Sequence, residues 1–364
     1  MAPVLVAIAR DLDVPLTQVV HAAGAYFLAY GLMQPVWGMV SDRLGLVRTM
    51  RLSLLLAAVA TVVSASVGSV LALGVTRGVA GACFAAAFPA TLIYLGDTVP
   101  AERRQRDVTD LMVGVAIGTA LGSAGAGVLA QVAAWRWAFV ATGVISLALV
   151  VLLRRLPHPP RVRGDDGLLA PLVTAARSGP TRLVLLLALV EGGVLLGVLT
   201  LLPPAVEATG AGAALSGGVT AAYGVAVLGF AQVTGRASRT RPGSRLIALG
   251  GVAALAGCGV LVVSRTPVAG LVAAVLLGLA WASMHSSLQT WATQVLPGAR
   301  ATVVSLFAGS LFLGSALAAL ASGAAVDRGA WRTVFVVATV LTVPLALLAT
   351  RGRRGWERRA PTEP

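Results

Sequence analysis

Long apolar runs separated by short polar islands make up nearly the whole chain. They cover about 18–40, 49–68, 70–95, 110–131, 137–153, 183–204, 213–235, 246–264, 267–291, 302–325 and 332–349. Each approaches or exceeds the roughly 20 apolar residues that cross a ~30 Å hydrocarbon core. A β-barrel would show alternating segments of about ten residues instead. The runs therefore predict an all-α polytopic membrane protein with eleven full spans, whose backbone groups are satisfied within each helix.

The pattern also repeats. Adding 197 to Tyr26, Gly38, Arg48, Gly81, Pro100 and Arg103 gives Tyr223, Gly235, Arg245, Gly278, Pro297 and Arg300. Adding 196 to Trp135, Arg136 and Phe139 gives Trp331, Arg332 and Phe335. Trp, Tyr, Pro and Arg are scarce inside apolar runs, so their return marks two copies of one unit. On the same offset Ala9 and Arg10 answer Val206 and Glu207 at the end of the seventh span. Residues 1–9, MAPVLVAIA, are thus expected to be the second part of a first helix, cut short by a late-assigned start or a truncation. Counting this partial helix gives two six-helix units. An N-terminal bundle over 1–153 and a C-terminal bundle over 182–349 are joined by a Pro-, Gly- and Arg-rich linker at 154–181 and followed by a basic tail at 350–364.

Composition places the units in a bilayer. Hydrophobic residues make up 57% and charged residues 12%, with a mean hydropathy of +0.87, against roughly 25% charged in soluble domains. The net charge of +14 would by itself suggest nucleic acid. Its distribution argues otherwise. All 28 basic residues are Arg, and they gather in alternate connections. Arg43, Arg48 and Arg51, then Arg103, Arg104 and Arg106, the linker, Arg236 to Arg245, Arg300 and the tail fall on one side. The positive-inside rule makes that side cytoplasmic. The linker and C-terminus are therefore expected in the cytoplasm of a cell-membrane protein, with no nucleic-acid partner. Cys83 and Cys258 lie singly inside spans and suggest neither a disulfide framework nor a metal site.

Ionisable groups inside a span cost about 2.5–3.5 kcal/mol on insertion scales and tend to face a cavity or a partner. Counting the partial helix as the first, Arg77 lies in the fourth span, Glu191 in the seventh and His285 in the tenth, while His21 lies near the outer end of the second. Glu191 is expected to be a proton-coupling carboxylate that meets Arg77 across a cavity, with a static ion pair as the alternative. Trp281, His285 and Gln289 are four apart and share one helix face. With Arg77 and Phe88 they suggest an aromatic-walled cavity with few polar anchors. His285 is a second coupling candidate or an ordinary buried histidine. Gly114, Gly118 and Gly122 are spaced to pack helices closely.

The segment GMVSDRLGLVR resembles the signature loop of the major facilitator superfamily through Gly38, Asp42, Arg43, Gly45 and Arg48, while Leu46 and Val47 depart from it. Arg77 with Gly81, VPAERR at 99–104 and WRWAF at 135–139 match further family motifs. MHSSLQTWATQVLPGAR at 284–300 is similar to bacterial permeases of the drug-proton antiporter and sugar-efflux branch. The Gly-rich fifth span resembles the matching helix of proton-driven exporters, with Ser123 where that motif carries Pro. The resemblance implies two six-helix bundles alternating access around a midplane site lined by the first, fourth, seventh and tenth helices. It also implies a latch at Asp42 and Arg48 that holds the outward-open state. The expected activity is proton-coupled efflux of small organic compounds by a monomer that needs no cofactor beyond the proton gradient. Uptake of a small metabolite is the alternative. A membrane sensor or intramembrane enzyme is remote, since the chain has no HExxH or GxSxG motif and no long soluble module.

Overall fold

The computed structural model describes residues 1–159 and 169–359, with the side chains at 42, 101, 102, 104, 105, 109 and 169–171 excepted. Among the described residues every regular element is helical. The first half comprises α1 (Leu5–Asp11), α2 (Leu16–Leu44), α3 (Leu46–Ser66), α4 (Val70–Phe84), α5 (Ala87–Thr98), α6 (Ala101–Val132) and α7 (Trp135–Leu152). After α8 (Leu169–Arg177), the second half comprises α9 (Gly179–Glu191), α10 (Gly197–Glu207), α11 (Ala213–Ala237), α12 (Gly243–Val263), α13 (Pro267–Ala280), α14 (Ser286–Ala292), α15 (Arg300–Asp327) and α16 (Trp331–Arg359). Much of the expected linker, from 160 to 168, and the tail from 360 lie outside the described residues.

Ten helical stretches are long and apolar enough to cross a membrane. The remaining expected span is α2. It has 29 residues, but Gln18, His21, Gln34 and Pro35 dilute its apolar character, so composition alone leaves it out. The short N-terminal segment is packed in the core, where Leu5 and Ile8 are fully buried.

The signature segment is not an extended loop. Ser41 to Leu44 are the last turn of α2 and Leu46 begins α3, so Gly45 alone turns the chain. Its φ of 83° lies in the left-handed region, which glycine enters without a Cβ clash.

The internal repeat recurs as a packing unit. A Cβ on Gly81 of α4 would collide with the Tyr26 carbonyl of α2, and one on Gly278 of α13 would come within 3.1 Å of the Tyr223 carbonyl of α11. The Tyr and Gly that return at an offset of 197 are therefore the two sides of one helix crossing, made once in each half. Between the halves, α2 packs along α15 and α6 along α11, the same exchange of partners seen from either side. Among the glycines, the tightest approach of α6 to α11 is at Gly127, which opposes Ala213 and Gly217. Gly114, Gly118 and Gly122 do not carry this packing, since a Cβ on any of them meets nothing within 4 Å. Gly38 is equally open. Four-residue spacing is a property of helix faces, and which face meets a neighbour is decided by the bundle.

Candidate functional site

The spans that carry the intramembrane polar residues are irregular at mid-length. The fourth span breaks between α4 and α5 at Ala85 and Ala86. Pro89 explains the break, because its ring clashes with the carbonyl four residues earlier and it donates no hydrogen bond. The Ala82 carbonyl freed nearby accepts a hydrogen bond from the Trp37 indole at 2.6 Å. At the repeat-equivalent place in the second half, Trp281–His285 form a π-helical turn between α13 and α14. There the Ala282 carbonyl accepts from Thr234 at 3.0 Å and from Ser286 at 2.6 Å. Trp37 and Thr234 are themselves 197 apart in the chain. A second π turn, Gly192–Leu196, separates α9 from α10. It begins where Gly192 lies directly on the Leu311 carbonyl of α15. Such turns often occur at functional sites, because the extra residue re-aims neighbouring side chains.

The two π turns bring Glu191 and His285 together. The Nδ1 atom of His285 lies 3.1 Å from Oε2 of Glu191, with the Glu191 side chain fully buried and that of His285 9% exposed. The other carboxylate oxygen, Oε1, is buried without a hydrogen-bond partner. Trp281 stacks on the imidazole with ring centroids 3.8 Å apart, and Phe307 closes the other side at 5.8 Å. Tyr223 meets Trp281 edge-on at 6.4 Å. Gln289 is half-buried on α14, one turn beyond His285.

Arg77 stands in the opposite half and is not the partner of Glu191. Its guanidinium lies 4.9 Å from the Tyr26 ring centroid and 5.0 Å from that of Phe139, a two-sided cation–π arrangement. Nη1 reaches Thr61 at 3.5 Å, while Nε is buried without a partner. Phe88 is half-buried on α5, beyond the break, and Arg77 takes its rings from Tyr26 and Phe139 instead. Both were visible in the sequence as members of the repeat, but nothing in their spacing showed that they enclose a cation.

Between the halves lies a cavity of about 290 Å³ lined by Met1, Tyr26, Phe27, Arg77, Ser123, Leu196, Leu199, Thr200 and Thr220, among others. Arg77 forms part of its wall from one half. From the other half the wall includes Leu196, the last residue of the π turn that begins just after Glu191. At the arginine-rich end Arg43 and Arg48 are exposed, and the Asp42 side chain lies outside the described residues. His21 lies in the first turns of α2, where its Nε2 is 3.3 Å from the Leu320 carbonyl of α15.

Two pseudo-symmetric helical bundles with a buried polar site between them define a polytopic membrane transporter. The chain belongs to the Major Facilitator Superfamily, whose family model matches residues 1–318. A hexuronate transporter of Escherichia coli (strain K12) is 33% identical over 137 residues, which are 38% of this chain and 32% of that protein. The match thus spans about a third of the length of that relative. Among solved structures, a nucleoside transporter aligns with a TM-score of 0.79 at 15% identity, covering 97% of this chain and 94% of the other. A D-xylose-proton symporter aligns at 0.78 and 16% identity, covering 92% and 89%. The xylose transporter of E. coli in an inward open conformation aligns at 0.75 and 16% identity, covering 92% and 85%. At these identities the structural likeness speaks for the fold.

Proposed function

We propose that this chain is a proton-coupled secondary transporter that takes up a small, hydroxylated organic anion. The supporting observation is the division of labour across the cavity. A guanidinium without a carboxylate partner among the described residues stands on one side, and a buried acid–imidazole pair lies behind the other. A buried cation needs a counter-charge, and an anionic solute entering the cavity supplies it through charge-assisted bonds. Thr200, Thr220 and Ser123 provide hydroxyls around it. Glu191 and His285 differ in charge with each proton they gain or lose, and Glu191 Oε1 is free to take one. Loading that proton changes the electrostatics of α9 and of the π turn that leads to the cavity wall.

Uptake is favoured over the efflux implied by the signature-loop resemblance. The hexuronate relative supports an anionic sugar-like solute, and the nucleoside and xylose neighbours are carriers of hydroxylated solutes. Ser123, where exporters carry Pro, points the same way. The orientation with the linker on the cytoplasmic side rests on the arginine distribution.

The test is solute-driven proton movement in right-side-out membrane vesicles. Adding a hexuronate outside is expected to alkalinise the medium and to give protonophore-sensitive accumulation. Acidification of the medium when the compound is added outside, as inward solute exchanges for outward protons, would instead establish a proton antiporter.

A further inference from the structure

At the arginine-poor end, each half caps a helix of the other. The amide of Thr17, second residue of α2, donates to Oδ1 of Asp327 at 3.0 Å. The amide of Ala214, second residue of α11, donates to Oε1 of Gln131 at 2.9 Å. Thr17 and Ala214 are 197 apart, and Gln131 and Asp327 are 196 apart. These are the two offsets of the internal repeat, so the bonds are one contact made twice, once in each direction across the pseudo-two-fold axis.

Neither capped helix can cap itself. The residues at the N-cap positions are Pro15 and Gly212, neither of which makes a side-chain cap bond, and they too are 197 apart. Other helices carry caps of their own. Ser69 caps α4 and Thr266 caps α13, again as repeat equivalents. The first amides of a helix require an acceptor, and a side-chain oxygen at the N-cap is the usual source. In α2 and α11 that acceptor comes from the opposite half. Asp327 is placed unfavourably for its own helix, because an acid at the C-terminal end of α15 opposes that helix dipole, yet it favours the N-terminus of α2. Around it Thr17 Oγ1 donates to the Gly323 carbonyl at 2.5 Å.

We infer that Asp327 and Gln131 are reciprocal trans-caps that set the conformational equilibrium of the carrier. They satisfy α2 and α11 only while the arginine-poor end is closed, and that end cannot open without leaving both helix N-termini without a protein acceptor. Contacts made in one state alone bias the population towards it. The inference rests on the alternating-access reading of the chain. Removing either acceptor should shift the closed-to-open ratio by about fivefold, the effect of one lost cap. Removing both should multiply the effects to about 25-fold, since separated sites act independently.

The measurement is a spin-label distance between Gly68→Cys and Val268→Cys, placed on the arginine-poor end of each half, with Cys83→Ser and Cys258→Ala to remove the native thiols. Asp327→Ala and Gln131→Ala should each enrich the longer distance, and Asp327→Asn, which keeps an acceptor oxygen, should enrich it less. Pro15→Ser separates capping from packing. It gives α2 a cap of its own in the open state and should also enrich the longer distance while leaving Asp327 in place. Two distances whose ratio is unmoved by Asp327→Ala and Gln131→Ala, or by Pro15→Ser, would overturn the trans-caps alone. A single distance in every variant would overturn alternating access and the trans-caps together.

Discussion

His285 Nδ1 and Glu191 Oε2 lie 3.1 Å apart, although 94 residues separate them in the chain and each belongs to a π turn or its first flank. A carboxylate with no exposure to solvent is costly unless paired. The partner here is the imidazole of His285, itself stacked on Trp281. Under the proposed coupling, a proton arriving at this pair changes its charge beside the π turn whose last residue, Leu196, lines the cavity.

Glu191→Gln removes the proton acceptor and keeps the shape of the side chain. Net accumulation driven by a pH gradient should fall to the level of a protonophore-treated control, while solute counterflow, which needs no net proton movement, stays within about threefold of wild type. Accumulation at wild-type levels would remove Glu191 from the coupling mechanism.

Arg77→Ala should weaken binding of an anionic solute far more than that of a neutral analogue. A charge-assisted hydrogen bond is worth about 1.5–3 kcal/mol, which is roughly 10- to 150-fold in affinity. Solute protection against thermal unfolding, measured with a hexuronate and with the matching neutral sugar, reads this difference. Equal loss for both would assign Arg77 to structure.

Two glycines of similar appearance should respond oppositely to alanine. Gly81→Ala forces a methyl group into the Tyr26 carbonyl, and overpacking of this kind costs about 1–3 kcal/mol. Gly118→Ala enters open space. The first should lower the midpoint of thermal unfolding in detergent, and the second should leave it unchanged or raise it.

Asp11 predicts a modest acid sensitivity at the arginine-poor end. It accepts from Arg136 and from the Trp135 indole at 3.1 Å, and the Arg136 bond, chiefly, holds its carboxyl below the usual carboxylate range. A depressed pKa contributes stability that is present above the unfolded value near 4 and is lost as pH falls through the folded value. Asp11→Asn should therefore flatten the fall in unfolding midpoint below about pH 4. Because the pair is well exposed at 35% and 43%, the change is small. An unaltered pH profile would show that the bond is energetically silent.

Much of the architecture was legible in the chain. Eleven runs of apolar residues had to become helices, because unpaired backbone cannot lie in hydrocarbon. The offset of 197 pointed to two related units, and its Tyr and Gly proved to be a physical contact made twice, Tyr26 with Gly81 and Tyr223 with Gly278. Local spacing misled where it stood in for packing. Gly114, Gly118 and Gly122 share a face with nothing against it, whereas Ala116, Ala120, Ser123 and Gly127 meet α11. The segment from Gly38 to Arg48 looked like a charged loop, but it is the end of one helix and the start of the next, turned at one glycine.

By itself, then, the sequence determined the helices, their duplication and the spans that carry Arg77, Glu191 and His285, because these follow from periodicity and from the cost of polar groups in lipid. It could not determine partnership. Glu191 was expected to find Arg77 and instead meets His285, one residue at the flank of a π turn and the other within one. Helix register, inter-bundle contact and the exchange of caps between Thr17 and Asp327 or Ala214 and Gln131 depend on how distant segments pack. Only the tertiary structure decided those.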